Sequence, residues 1–148
     1  MTKAPRLKLD EFLCFAVYSA NHAFNRVYKP LLDKLSVTYP QYLVMVLLWE
    51  HDDQTVGELG ERLFLESNTL TPLLKRLETL RYIKRSRDPA DERQVRVRLT
   101  ETGRTLRALA LHVPGCILAA SGLDAREAKQ VLTDIAALRH TLENYDAE

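Results

Sequence analysis

Two cysteines and six tyrosines are the side chains of this 148-residue chain with the most chemistry to offer. Cys14 and Cys116 are too few and too far apart for a disulfide scaffold or a zinc cage. In a reducing compartment each starts as a thiol, so a bridge between them would be a signal. A thiol that senses an oxidant reacts as thiolate, attacks a peroxide oxygen and becomes a sulfenic acid, which a second thiol can trap as a reversible disulfide. Phenolic hydroxyls beside such a thiolate would donate hydrogen bonds to it and hold the leaving alkoxide. Phe12, Phe15 and Val17 around Cys14 suit an organic peroxide better than hydrogen peroxide. Position alone points the other way, because a free cysteine is most often a small buried hydrophobe. Cys116, beside Pro114-Gly115, has the alternative of filling a helix bend. His22, His51, His112 and His140 are scattered with no i, i+4 pair, so neither a metal site nor a cofactor is expected.

The elements that must carry these groups belong to an ordinary globular chain, 46% apolar and 28% charged, expected to form one domain over residues 1–148. No apolar run approaches the roughly 20 residues of a membrane span, so no membrane partner is expected. Met1 to Arg6 lead into an amphipathic pattern with no apolar signal core, which makes the cytoplasm the expected location. The net charge of +1 conceals a division. Ser67 to Thr100 holds nine Lys or Arg against four Asp or Glu, a local +5 that leaves −4 for the remainder. A basic third on a neutral scaffold is what a phosphate-binding surface would produce, although a solvated basic face gives the same count.

Helical spacing of apolar residues predicts a long helix over Leu9–Leu35, kinked or divided at Pro30. Tyr39-Pro40 should open a second helix running to about His51, buried at the domain centre. Thr55-Val-Gly-Glu58 has the form of a capping box for a short helix ending at Leu63. Ser67 is placed to cap another, ending near Leu80, and the tight turn between the two makes a helix-turn-helix. Ile83–Arg87 and the alternating Val95–Leu99 flank the turn-rich Asp88–Gln94 and read as a β-hairpin. Thr100 should cap a helix interrupted or bent at Pro114-Gly115, and an amphipathic helix over about Asp124–Tyr145 closes the chain. The expected fold is therefore mainly α with a small antiparallel β-wing, a winged helix-turn-helix.

On the Ser67–Leu80 helix, Leu70, Leu73, Leu74, Leu77 and Leu80 share one face. Asn68, Pro72, Lys75 and Thr79 lie opposite, with Thr71 and Arg76 on the flanks. Ser67, Asn68 and Thr71, near the N-terminus, are placed to read base edges, and Lys75 and Arg76 to meet phosphates or guanine. The wing adds Arg85, Arg87, Arg93, Arg96 and Arg98, with Arg96 and Arg98 on one face of the hairpin. Arg93 near the loop tip is suited to the adjacent minor groove, with Asp91 orienting it by a charge-assisted hydrogen bond.

Leu73-Leu-Lys-Arg-Leu-Glu78, Ile83-Lys-Arg85, Asp88-Pro-Ala-Asp-Glu-Arg93 and Leu99-Thr-Glu-Thr-Gly103 together resemble the MarR family of bacterial regulators. Arg81 departs from the glycine often found there, so the recognition helix is expected to close without a left-handed glycine cap. Phe12-Leu-Cys-Phe-Ala-Val-Tyr18, Tyr28-Lys-Pro-Leu31 and Thr38-Tyr-Pro-Gln41 resemble the organic hydroperoxide resistance regulators, of the two-cysteine type. That resemblance implies a non-enzymatic repressor of pseudo-palindromic double-stranded operator DNA, induced by an organic hydroperoxide. It makes Cys14 the sensor, Tyr28 and Tyr39 its hydrogen-bond donors and Cys116 the resolving thiol. It also implies a homodimer, with residues 36–103 as the DNA-binding lobe and 1–35 and 104–148 supplying the dimerisation helices.

Helix geometry agrees with a dimer. Tyr18 is one turn from Cys14, whereas Tyr28 lies 14 residues away, about 21 Å along a continuous helix. Tyr28 can then meet the Cys14 of a second subunit but not its own. Two other readings compete: a MarR-type repressor answering a small aromatic ligand, with Cys14 a bystander, and a thiol peroxidase, for which the basic helix and wing would have no purpose.

Overall fold

The computed structural model describes residues 4–147; Met1, Thr2 and Lys3 of the opening stretch, and Glu148, lie outside them. The chain forms two compact units, one up to Leu111 and the other from His112. The first unit begins with a 3-10 turn at Leu9–Glu11, then α1 (Leu13–Asp33), α2 (Tyr39–Glu50), β1 (Gln54–Thr55), α3 (Val56–Leu63) and α4 (Ser67–Thr79). It continues through β2 (Ile83–Arg87), β3 (Val95–Leu99) and α5 (Glu101–Ala110); the second unit holds α6 (Val113–Ser121) and α7 (Ala125–Glu143).

The predominantly helical fold with an antiparallel wing is borne out. The sheet is larger than expected: β1 joins the far edge of β3, giving the antiparallel order β1-β3-β2. Gln54 pairs with Val97 and Thr55 with Arg96, while Ile83 to Arg87 pair in register with Leu99 to Val95. Two residues are too short a run to show alternation, so sequence periodicity could not reveal β1. The core lies where α2 meets α4 and the sheet. Val44, Met45, Leu48, Leu59, Leu70, Leu74, Leu77 and Val97 are all buried.

Several boundaries move. The long N-terminal helix starts at Leu13, since Phe12 is extended, and it ends at Asp33. Pro30 does not divide it. Pro30 lies in the last turn, so the bond it cannot donate to the preceding turn is lost only where the helix is about to end. Ser67 is the first residue of α4 and not its cap. Glu66 holds the extended capping position without a side-chain bond, and its carbonyl accepts from the Thr69 and Leu70 amides. The break expected at Pro114-Gly115 falls earlier, at Leu111-His112, because Pro114 sits in the first turn of α6, where a missing N–H costs nothing. The last helix ends at Glu143, short of Tyr145.

The caps at Thr38, Thr55, Thr100 and Asp124 all accept a backbone N–H three residues on. At the end of α4, Arg81 itself takes the left-handed conformation, φ 63°, where glycine was the expected requirement. Its N–H donates to the Glu78 carbonyl at 2.9 Å, and the Tyr82 N–H donates to Leu77 at 3.1 Å. These paired bonds close the helix as a glycine cap would, with the strain left on Arg81.

Candidate nucleic-acid interface and thiol site

The apolar face of α4 is fixed in the core by Leu70, Leu74 and Leu77, which turns the opposite face outward. Ser67, Asn68, Pro72, Lys75 and Arg76 are exposed there, and Thr71 is half-buried. The Thr71 hydroxyl donates to the Ser67 carbonyl at 2.7 Å, so one of the expected base readers already spends its proton on its own helix. Among the described residues neither Lys75 nor Arg76 has an ion-pair partner, which leaves both free for an anion. Gly60 makes the tight turn possible. A Cβ there would lie 2.7 Å from the Leu65 carbonyl oxygen, so α3 and the turn pack too closely for any side chain.

In the wing, Arg93 projects into solvent with 90% of its side chain exposed, yet it is not loose. Asp91 receives its Nε at 3.1 Å and its Nη2 at 3.3 Å, and also the Arg93 backbone N–H at 3.1 Å. These bonds hold the Asp91 carboxyl below the usual carboxylate range. Arg87 donates to the Glu92 carbonyl at 2.8 Å, bracing the loop from its other side. Arg96 is placed differently from the expectation. Its guanidinium is turned inward between Asp88 and Asp53, at 3.0 and 3.2 Å.

At the other end of α1, Cys14 is an exposed free thiol in the first helical turn. Phe12 and Tyr18 are exposed nearby, Phe15 is half-buried, and Tyr18 stacks edge-on against His22 with ring centroids 4.5 Å apart. Because α1 runs unbroken from Leu13 to Asp33, Tyr28 stands about 21 Å along the axis from Cys14. The fold instead brings Tyr28 to Tyr39, with ring centroids 4.7 Å apart. The capping box of α2 sets Tyr39: the Thr38 N–H donates to Gln41 Oε1 at 2.9 Å while the Gln41 N–H donates back to Thr38 Oγ1. Tyr42 completes the cluster, 6.0 Å from Tyr28 and 6.5 Å from Tyr39.

Burial pushes the Tyr28 phenol up to about 12, with its two phenol neighbours adding to the shift. Burial raises Tyr39 and Tyr42 as well. All three therefore keep their protons at neutral pH and present O–H donors. Beside them lies a cavity of about 280 Å³, lined by Tyr28, Tyr39, Leu32, Val37 and Lys29 among others.

A family model described as transcriptional regulator SarA/Rot matches residues 26–108. The organic hydroperoxide resistance transcriptional regulator of Bacillus subtilis (strain 168) is 46% identical over 140 residues, covering 95% of each chain. This chain belongs to the MarR-type transcriptional regulators.

The structures of relatives agree with that membership. Reduced AbfR bound to DNA, the Staphylococcus epidermidis protein, is 36% identical and superposes with a TM-score of 0.77 over 88% of this MarR-type chain and 90% of that one. Disulfide-formed AbfR is 37% identical, with a TM-score of 0.61 over 88% and 87%.

Sequence reasoning missed Tyr42 as a member of the phenol cluster, having placed its helix as a whole at the buried domain centre. Its i, i+3 spacing from Tyr39 was the available signal. It also missed Asp53, which no local pattern marks. Among the described residues no group of acidic, histidine and cysteine side chains is arranged to hold a metal. Nor, among them, is any single helix long and apolar enough to cross a membrane.

Proposed function

We propose that this MarR-type regulator is a cytoplasmic homodimeric repressor that releases operator DNA when an organic hydroperoxide oxidises Cys14. The observation that carries the reading is an exposed, unpaired thiol at Cys14, in a chain so similar to a hydroperoxide resistance regulator over nearly its whole length. α4 enters the major groove with Ser67, Asn68, Thr71 and Pro72 leading, Lys75 and Arg76 meeting phosphates, and Arg93 reaching the minor groove.

The dimer is supported by apolar surface left without cover. Leu13, Val17, Phe24 and Val27 of α1 are exposed, as are Val131, Leu132, Ile135 and Leu142 of α7. Such stripes are a liability unless a second copy covers them. A partner subunit would bring its phenol cluster to Cys14, which a single unbroken α1 forbids.

In the reaction, the Cys14 thiolate attacks the terminal peroxide oxygen, the O–O bond breaks, and the alkoxide takes a proton to leave as alcohol. Sulfur is oxidised by two electrons and the peroxide reduced by two. A protonated Tyr28 or Tyr39 holds the leaving oxygen. The Cys116 thiol then attacks the sulfenic sulfur, forming the disulfide and releasing water. A bridge requires Cα atoms within about 7 Å. Drawing two subunits into that geometry shifts the recognition helices from the ~34–36 Å spacing of successive major grooves.

The chemistry is tested on non-reducing gels after one equivalent of cumene hydroperoxide. Wild type should run as a covalent dimer that dithiothreitol reverses. Cys116→Ser should stay monomeric on the gel and label with dimedone at Cys14, and Cys14→Ser should do neither. A covalent dimer or dimedone label in Cys14→Ser would remove Cys14 from the mechanism. The cavity beside Tyr28 and Tyr39 favours a second reading, induction by a small aromatic ligand. An aromatic acid that displaces DNA from Cys14→Ser at micromolar concentration would support that reading instead.

A further inference from the structure

Arg96 is the middle of a chain of bonds that runs from the end of α2 to the tip of the wing. At one end stands Asp53, in the connection between α2 and β1, with a left-handed φ of 61°. Its carboxylate accepts from Arg96 Nη1 at 3.2 Å and Arg98 Nε at 3.1 Å, and its carbonyl accepts from Arg96 Nη1 at 3.1 Å. Partial burial works against the Asp53 carboxylate, but the bonds from Arg98 and Arg96 outweigh it and hold the group ionised below its ordinary range. The same guanidinium donates through Nε to Asp88 Oδ2 at 3.0 Å.

Asp88 is almost buried, and its other oxygen accepts the Ala90 N–H at 2.8 Å. The Asp88 carbonyl accepts the Asp91 N–H at 3.2 Å, and Asp91 grips Arg93. Every link from Asp53 to Arg93 is thus a hydrogen bond. A non-glycine residue persists in left-handed backbone only where its surroundings over-determine it, and here the clasp does so. The neighbouring Asp52 strengthens the same attachment, accepting the Leu99 N–H at 2.8 Å at the end of β3.

We propose that Asp53 and Asp88, acting through Arg96, are positioning residues for DNA binding: they fix the wing loop, and so Arg93, at the angle from which it enters the minor groove. The inference rests on the reading that Arg93 contacts DNA. A hairpin standing alone is marginal in water, and a seven-residue loop at its end would otherwise sample many orientations, each a cost on binding.

Electrostatics gives the test a sign. Removing a carboxylate from beside a surface that meets phosphates should, by charge alone, tighten binding. A positioning role requires the reverse. The experiment measures fluorescence anisotropy on a pseudo-palindromic duplex selected from random sequence by the wild-type protein, at fixed salt. Arg93→Ala should weaken binding roughly tenfold or more. Asp53→Asn, whose amide tolerates the left-handed backbone, and Asp88→Asn should each weaken it by about tenfold although each removes a negative charge. In the Arg93→Ala background the Asp53→Asn effect should vanish, because the wing has then lost the contact being positioned. Binding that is unchanged or tighter in both Asp variants, with Arg93→Ala weakened, overturns the inference while sparing the wing reading. A loss that persists undiminished in the double variant overturns it too, as a global effect. Unchanged affinity in Arg93→Ala overturns the wing reading itself, and the inference with it.

Discussion

Single residues carry strain or charge that the sequence reveals only in part. Arg81 is the clearest case, since the resemblance marked the position as abnormal but could not say how the helix would end. The structure ends it with the glycine-type bond pattern and an arginine in the left-handed region. Relieving that strain is worth about 1–2 kcal/mol, partly offset by the greater unfolded-state freedom of glycine. Arg81→Gly should therefore stabilise the fold by about 0.5–1 kcal/mol, read as a higher midpoint in urea unfolding. A lower midpoint would mean that the exposed Arg81 side chain contributes more than its backbone loses. Arg96 teaches the opposite lesson. Its strand position and charge made it look like a DNA contact, but charge alone does not distinguish a cation facing solvent from one clasped between Asp88, eight residues back across the loop, and Asp53, 43 residues away in the chain.

Secondary elements were the most legible level, because capping residues and helical periodicity are local. Tyr39-Pro40, Thr55, Thr100 and Asp124 each announced a helix start that the structure keeps. Strand β1 was not legible, since its two residues become a strand only by pairing with β3. Gly103 belongs to this scale as well. A Cβ there would run into the Tyr82 carbonyl, and the Gly103 carbonyl accepts Trp49 Nε1–H at 2.9 Å, so α5 is seated on α2 and on the α4–β2 junction at one point. Gly103→Ala must push these elements apart. It should destabilise the protein by about 1–3 kcal/mol, accompanied by a change in Trp49 fluorescence, as overpacking of a close contact predicts. An alanine variant with wild-type midpoint and emission would show that the contact yields at no cost.

For the whole molecule, the proposed function is one that a single chain cannot complete. Cys14 and the phenols of Tyr28, Tyr39 and Tyr42 are separated by the length of α1, and uncovered apolar stripes lie on α1 and α7. The proposed dimer joins both observations: the second copy covers the stripes and supplies donors to the thiol. The most direct test is anisotropy of the protein on its selected duplex, titrated with cumene hydroperoxide. The wild type should lose the duplex as oxidant approaches one equivalent per subunit and recover it with dithiothreitol, while Cys14→Ser stays bound throughout. Release of the duplex by Cys14→Ser at the same oxidant concentration would contradict the account.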